Sequence, residues 1–224
     1  AGPTGVAGPT GPTVPPGVAG PTVPSGVAVP AVPTVLTGVA VANDARAAAE
    51  QLCAALLPVG ASGHLCESAG EARELVVELC AGRPVYLEDH PDLAGLAGLA
   101  EPAGALEPSG RRMTLATVTD PWEAAIGVTG VEVAVADTGT LALTSSPGRP
   151  RSTSVVPPVH VAMIPFSRLV ATYTDALEHL DGLRPLPSNV NLVTGISRSS
   201  DIEMRPVLGV HGPGELHVVL YPDQ

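Results

Sequence analysis

The chain contains no lysine: all 11 of its basic residues are arginine. A lysine Schiff base and the lysine of a phosphate-binding P-loop are therefore excluded. Basic side chains are outnumbered by 22 acidic ones, giving a formal net charge of -11. That balance argues against a nucleic-acid partner, which needs a basic face to neutralise phosphates. Aromatic residues make up only 2% of the 224 residues, so Val, Leu, Ile and Ala must build the core.

Cysteine is scarce as well. Cys53, Cys66 and Cys80 are the only three. No two stand as C-x-x-C and none has a histidine at zinc-ligand spacing, whereas an iron–sulfur cluster usually needs four thiolates. The expectation is reduced thiols in a cytoplasmic protein, with no metal or redox cofactor in this chain. Cys53 and Cys80 lie among Leu52, Leu56, Val77 and Leu79 and read as small core residues. No uninterrupted apolar run approaches the roughly 20 residues of a membrane span. The first basic residue is Arg46, so the start of the sequence lacks the charged flank of a signal peptide.

Glycine and proline are abundant, at 25 each, and unevenly spread. Residues 1–40 are a triplet repeat with Gly or Val at every third position, as in Gly2, Gly5, Gly8, Gly11, Val14 and Gly17. The frame is collagen-like, but a collagen axis admits only Gly, and Val14, Val23, Val29, Val32 and Val35 break it. The expectation is a low-complexity arm of polyproline-II character, followed by one domain over residues 41–224.

The domain begins with a helix capped by Asn43 or Asp44, with Ala47, Ala48, Cys53, Leu56 and Leu57 as its apolar positions. A strand follows at His64–Cys66. Ser68 and Glu71 form a capping box for a second helix with Leu75, Val76 and Leu79 as its buried stripe. Pro84–Leu87 reads as a strand, so helix and strand alternate in an α/β rhythm. Further on, the pattern predicts a short helix over Trp122–Ile126, then strands at Val131–Ala136, Thr140–Thr144 and Val155–Ile164. A helix at Ser167–Leu180, a buried strand at Asn189–Thr194, a helical turn at Asp201–Met204 and a last strand at Leu216–Leu220 follow.

Three polar clusters follow apolar strands. The first is Asp137-Thr138-Gly139-Thr140. The second is Arg149 and Arg151, with His160 in the next strand. The third runs from Thr194 through Ser197, Arg198, Ser199 and Asp201 to His211. In open α/β sheets the loops at strand ends build the ligand crevice. A Gly-Ser-Ser loop entering a helix would offer N–H groups to an anion, and Arg198 would supply a fork for a carboxylate or phosphate. A small-anion pocket is therefore expected from Thr138, Gly139, Thr140, Ser197, Arg198, Ser199, Asp201 and His211, with Arg151 and His160 at its edge. Gly195-Ile-Ser197-Arg-Ser199 lacks the closing glycine of a G-x-S-x-G elbow, which argues against a serine hydrolase.

Three long stretches carry a family resemblance: Gly127–Leu143 (GVTGVEVAVADTGTLAL), Arg151–Ile164 (RSTSVVPPVHVAMI) and Thr194–Val219. Together they resemble the LUD-domain family, the LutC/YkgG group of lactate-utilisation proteins. Ile196 stands where that family usually has Pro, and Ser199 where Thr is common. The resemblance implies a NagB/RpiA/CoA-transferase-like α/β fold with a central, mostly parallel sheet and flanking helices. It also implies a place beside iron–sulfur partner proteins in oxidising L-lactate to pyruvate. With no cluster thiolates and no dinucleotide fingerprint, this chain is expected to be the non-redox member. The alternative is a free-standing isomerase, ligase or acyl transferase acting on a phosphorylated or CoA-linked molecule.

Overall fold

A computed structural model describes residues 45–100, 105–106, 112–200 and 206–223. The triplet-repeat arm, the start of the domain near residue 41, and the turn expected at Asp201–Met204 lie outside the described residues.

Four helices and thirteen strands are present in these segments. They are α1 (Ala45–Leu56), β1 (Ser62–Leu65), α2 (Ala69–Cys80), β2 (Val85–Leu87), α3 (Ala94–Ala97), β3 (Ala105–Leu106) and β4 (Arg112–Met113). Next come β5 (Ile126–Thr129), β6 (Val133–Val135), β7 (Thr140–Ser145), β8 (Val159–Pro165), β9 (Leu169–Val170) and α4 (Tyr173–Asp181). The last are β10 (Asn189–Thr194), β11 (Arg198–Ser200), β12 (Pro206–Leu208) and β13 (Glu215–Tyr221).

The central sheet has five strands in the order β1-β13-β8-β5-β2, and every neighbouring pair is parallel. A second sheet of four strands, in the order β10-β7-β6-β9, packs on one face of it. Strand β8 explains the layering. All seven of its residues are buried. Val159, Val161 and Met163 face a core shared with Ala72 and Val76 of α2 and with Leu93 and Leu96. Ala162 and Ile164 face the opposite core, with Leu52 and Leu56 of α1 and with Leu141 and Leu143 of β7. Buried on both faces, a parallel strand must read as a near-continuous apolar run, and this one does except at His160. The far side of the second sheet, at Val133, Val135 and Ala142, is covered by Ala176 and Leu180 of α4.

Several expected elements hold closely, and the differences have local causes. In α2 the Ser68 hydroxyl accepts from the Glu71 N–H, but the Glu71 carboxylate turns to the Glu67 N–H, so the box is completed one residue early. The fully buried stripe of α2 is Ala69, Ala72, Val76 and Cys80, with Leu75 and Leu79 only half-buried. Leu57 and Ala47 are exposed, because α1 presents Ala48, Ala49, Leu52 and Leu56 to the core. The turn after Asp120 is short and Ile126 already belongs to β5. Pro157 and Pro158, which cannot donate to a ladder, delay β8 until Val159. The segment expected as one helix over Ser167–Leu180 divides into β9 and α4. Helix α4 starts behind Thr172, whose hydroxyl and backbone N–H exchange hydrogen bonds with Asp175 in a capping box. Strand β10 is an edge strand rather than a buried one, with Val190, Leu192 and Thr194 exposed along one face.

Gly127 on β5 is a point of close approach between β5 and the turn Arg151–Ser154. A Cβ at this position would lie 1.9 Å from the Thr153 carbonyl oxygen. Neither backbone is free to retreat, so Gly127→Ala is expected to destabilise the fold by about 2–4 kcal/mol, read as a shift of the urea midpoint at constant slope.

Candidate functional site

The third polar cluster is assembled by backbone hydrogen bonds. Gly195, at φ +75°, turns the chain out of β10, and a Cβ there would meet the Val59 carbonyl at 2.4 Å. Ser197 then donates its N–H to Pro213 O at 2.9 Å, and Ser197 O accepts from Gly209 N at 2.9 Å. Gly214 N reaches Pro158 O at 3.0 Å, just ahead of β8. These contacts bring Ser197, the His211–Pro213 bend and His160 around one cleft of about 240 Å³. Ser154, Asn191 and Thr194 add polar groups to its lining, and Val155, Val193 and Leu216 add apolar ones.

His160 is 1% exposed and pairs with the Thr129 hydroxyl through Nε2 at 2.8 Å. Burial alone lowers its pKa to about 4, so the ring is neutral at physiological pH. Thr138, Thr140 and Thr194 form a chain of hydroxyl contacts, each link 2.8 Å, that ends on the cleft wall at Thr194. Gly139, at φ +70°, closes the β6–β7 hairpin and donates its N–H to Val135 O.

The structure therefore gathers His160, Ser197 and His211 at one cleft, and connects Thr138 and Thr140 to it through Thr194. Arg151 opens the turn that supplies Ser154. Arg198 is exposed and is not among the residues lining the cleft; its Nη2 donates to Pro58 O at 3.4 Å. Ser199 is half-buried and registers with Val207. Residues Arg198–Ser200 form strand β11, so the loop does not enter a helix at Ser199 and presents no helix N-terminus there. Asp201 lies outside the described residues. The cleft lining mixes polar and apolar groups and, among the described residues, carries no arginine or carboxylate.

A second polar group, unanticipated from the sequence, sits at the carboxyl ends of β2, β5 and β8. Glu88 is buried and accepts the Gly130 N–H at 2.9 Å. Burial raises its pKa to about 7, against the opposing effects of that hydrogen bond and of Arg149. His90 is 5% exposed and accepts the Asp92 N–H through Nδ1 at 3.2 Å. Burial, then Arg149 and Arg168, lower its pKa to about 3. Behind it Arg168 bridges Asp92 at 3.3 Å and Glu132 at 3.6 Å, and Glu132 meets His179 at 3.1 Å. Burial pushes Glu132 upward, but His179 and Arg168 outweigh it and its carboxyl ends below the ordinary value. The sequence held one weak signal for this group: Glu88 directly follows the apolar run Val85–Leu87.

The thiols show no sign of activation. Cys66 and Cys80 are buried and free, and burial raises them to about 11 and 12. Among the described residues, no group of three or more His, Cys, Asp or Glu is arranged to hold a metal ion, and no helix is long and apolar enough to cross a membrane.

The family model of the LUD domain matches residues 121–221. Over these residues, the chain is similar to the LUD-domain family. Lactate utilization protein C of Shouchella clausii is 42% identical over 102 residues, which is 44% of this chain and 44% of the relative. That of Bacillus subtilis is 37% identical over 107 residues, or 46% of this chain and 44% of the relative. The matched stretch thus spans under half the length of these relatives. A crystal structure of a DUF162 family protein from Deinococcus radiodurans is similar to 80% of this chain and 98% of its own, with a TM-score of 0.57 at 20% identity. That likeness shows a shared fold. Every residue lining the cleft falls inside the LUD match, whereas Glu88, His90 and Asp92 precede it.

The neutral state of His160 gives a testable pH signature. Its pKa in the folded protein lies below the unfolded value, so protonation favours the unfolded chain as pH falls from 6.5 towards 4. His160→Gln removes this term while leaving His90 and Glu88 in place. The stability gap between wild type and variant is expected to narrow by about 1.4 kcal/mol per pH unit over that window. Urea midpoints at pH 7, 6 and 5 measure it, and a constant gap would contradict the assignment.

Proposed function

We propose that this chain acts in L-lactate utilisation as the non-redox subunit of an assembly that oxidises lactate to pyruvate, with electrons passing to iron–sulfur partner proteins. The observation that carries the reading is the coincidence of the cleft with the segment similar to lactate utilization protein C. Ser197, Thr194 and His211 offer hydroxyl and imidazole groups to a small hydroxycarboxylate, and the neutral ring of His160 floors the cleft. Arg151 and Arg198 flank the lining in sequence, and Arg151 is the candidate to reach an incoming carboxylate. Arg198 already leans on the turn after α1.

The alternative of a free-standing enzyme for phosphorylated or CoA-linked substrates leaned on a helix N-terminus after Ser199. Strand β11 occupies that position, which leaves the alternative with less support.

Deleting the chain from its native host is expected to abolish growth on L-lactate as sole carbon source while sparing growth on pyruvate. Wild type should restore growth. The double variant Ser197→Ala, His211→Ala should restore less than about a tenth of the rate, a loss on the scale of a few removed hydrogen bonds. Normal growth of the deletion strain on lactate would sink the proposal.

A further inference from the structure

Four of the six histidines belong to the cleft or to the group around Glu88. The other two, His64 of β1 and His217 of β13, meet each other. They are 153 residues apart in the chain, so no local spacing announces them. The register of the parallel ladder brings them together. Ser62 pairs with His217 and His64 with Val219, so the two histidines stand diagonally on one face of the sheet. It is the face of Val219, which shares a core with Val76 and Cys80 of α2.

His64 Nε2 lies 3.1 Å from His217 Nδ1, with the ring centres 5.4 Å apart. Both rings are half-buried at the edge of the sheet, and the His217 side chain keeps 21% of its surface in solvent. Burial lowers the pKa of both rings, so neither is a cation at physiological pH. Two neutral imidazole nitrogens facing each other share a single proton. Glu215 Oε2, 3.8 Å from His217 Nε2, favours a proton on that nitrogen and leaves Nδ1 as a lone pair. His64 Nε2 then carries the bridging proton. Moving that proton to His64 Nδ1 frees a second lone pair beside the first.

We propose that His64 and His217 form a binding site for one divalent transition-metal ion of the zinc class. Two nitrogens on a tetrahedral ion at about 2.0–2.1 Å stand about 3.3 Å apart, close to the separation already present. A small swing of each ring turns both lone pairs onto a common point. Imidazole donors suit zinc, copper and nickel, whereas magnesium and calcium prefer oxygen. Among the described residues no third His, Cys, Asp or Glu completes the set, so water fills the remaining positions. Cys53 approaches the other face of β1, against Gly63, which registers with Val218. Arg83, the cation that acts on His217, donates to the Leu79 and Cys80 carbonyls. The net charge of -11 favours a cationic ligand over an anionic one. An ion held here ties the edge strand β1 to β13. The proposal is independent of the lactate reading, because zinc itself is the probe.

The experiment titrates zinc chloride by calorimetry into the full chain, stripped of metal with EDTA, with magnesium chloride as a second probe. Wild type is expected to take up one zinc ion with a higher melting temperature, and no magnesium. His64→Gln and His217→Gln should each weaken zinc binding more than tenfold, while melting as the metal-free wild type does. Cys53→Ser and His211→Ala should bind zinc as wild type does. X-ray absorption at the zinc edge of the loaded wild type reads the ligands without any variant, and should show two imidazoles, oxygen donors and no sulfur. The proposal is overturned by the absence of saturable zinc binding, by unchanged affinity in either histidine variant, by a sulfur ligand, or by magnesium binding as tightly as zinc.

Discussion

A histidine near the start of a fully buried strand needs a partner, and the architecture is arranged around meeting that need. His160 is the one polar side chain of β8, between the β5 and β13 ladders. Left unpaired there, an imidazole would cost on the order of 1–3 kcal/mol. The Thr129 hydroxyl on β5 meets it at 2.8 Å. The bond sets β5 and β8 at a fixed relation on the face that meets the second sheet. It also fixes the floor of the cleft, whose walls come from β10 and from the bends at Gly195–Ser197 and His211–Pro213.

Close backbone approaches make this geometry possible. Gly127 lets the turn Arg151–Ser154 rest on β5, which carries Ser154 to the cleft. Gly195 lets the loop after β10 rest on Val59, with Ile196 N donating to the same carbonyl at 3.3 Å. The sheet thus carries polar groups at both ends of its strands. The cleft lies towards the amino ends of β8 and β13, and the Glu88, His90 and Arg149 group lies at the carboxyl ends of β2 and β5. Thr129 links them in the chain: its hydroxyl holds His160, and the next residue, Gly130, holds Glu88.

Much of the fold was legible because its strands are punctuated. Thr138-Gly139 marks the β6–β7 hairpin, and Ser68 and Glu71 mark the start of α2. The failures have physical causes. Leu169–Val170 and the true start of α4 were masked by a helical run from Ser167, because only the Thr172 capping box breaks it and a box is a weak local signal. The apolar residues of β10 suggested burial, but its position at the edge of its sheet leaves every second side chain in water. Arg198 was read from its neighbours in sequence, yet its guanidinium reaches Pro58 O and does not line the cleft that Ser197 lines. The Glu88 group is assembled from three distant segments, and no spacing in a single sequence encodes such convergence.

The proposed function requires lactate to bind at the cleft. Hydrogen–deuterium exchange of the full chain with and without saturating L-lactate tests that most directly. Added protection should be confined to peptides covering Ser154–Val155, Thr194–Ser197 and His211–Pro213, with the His160 strand unchanged because it is already buried. Saturating lactate that leaves those three segments unprotected would contradict the claim.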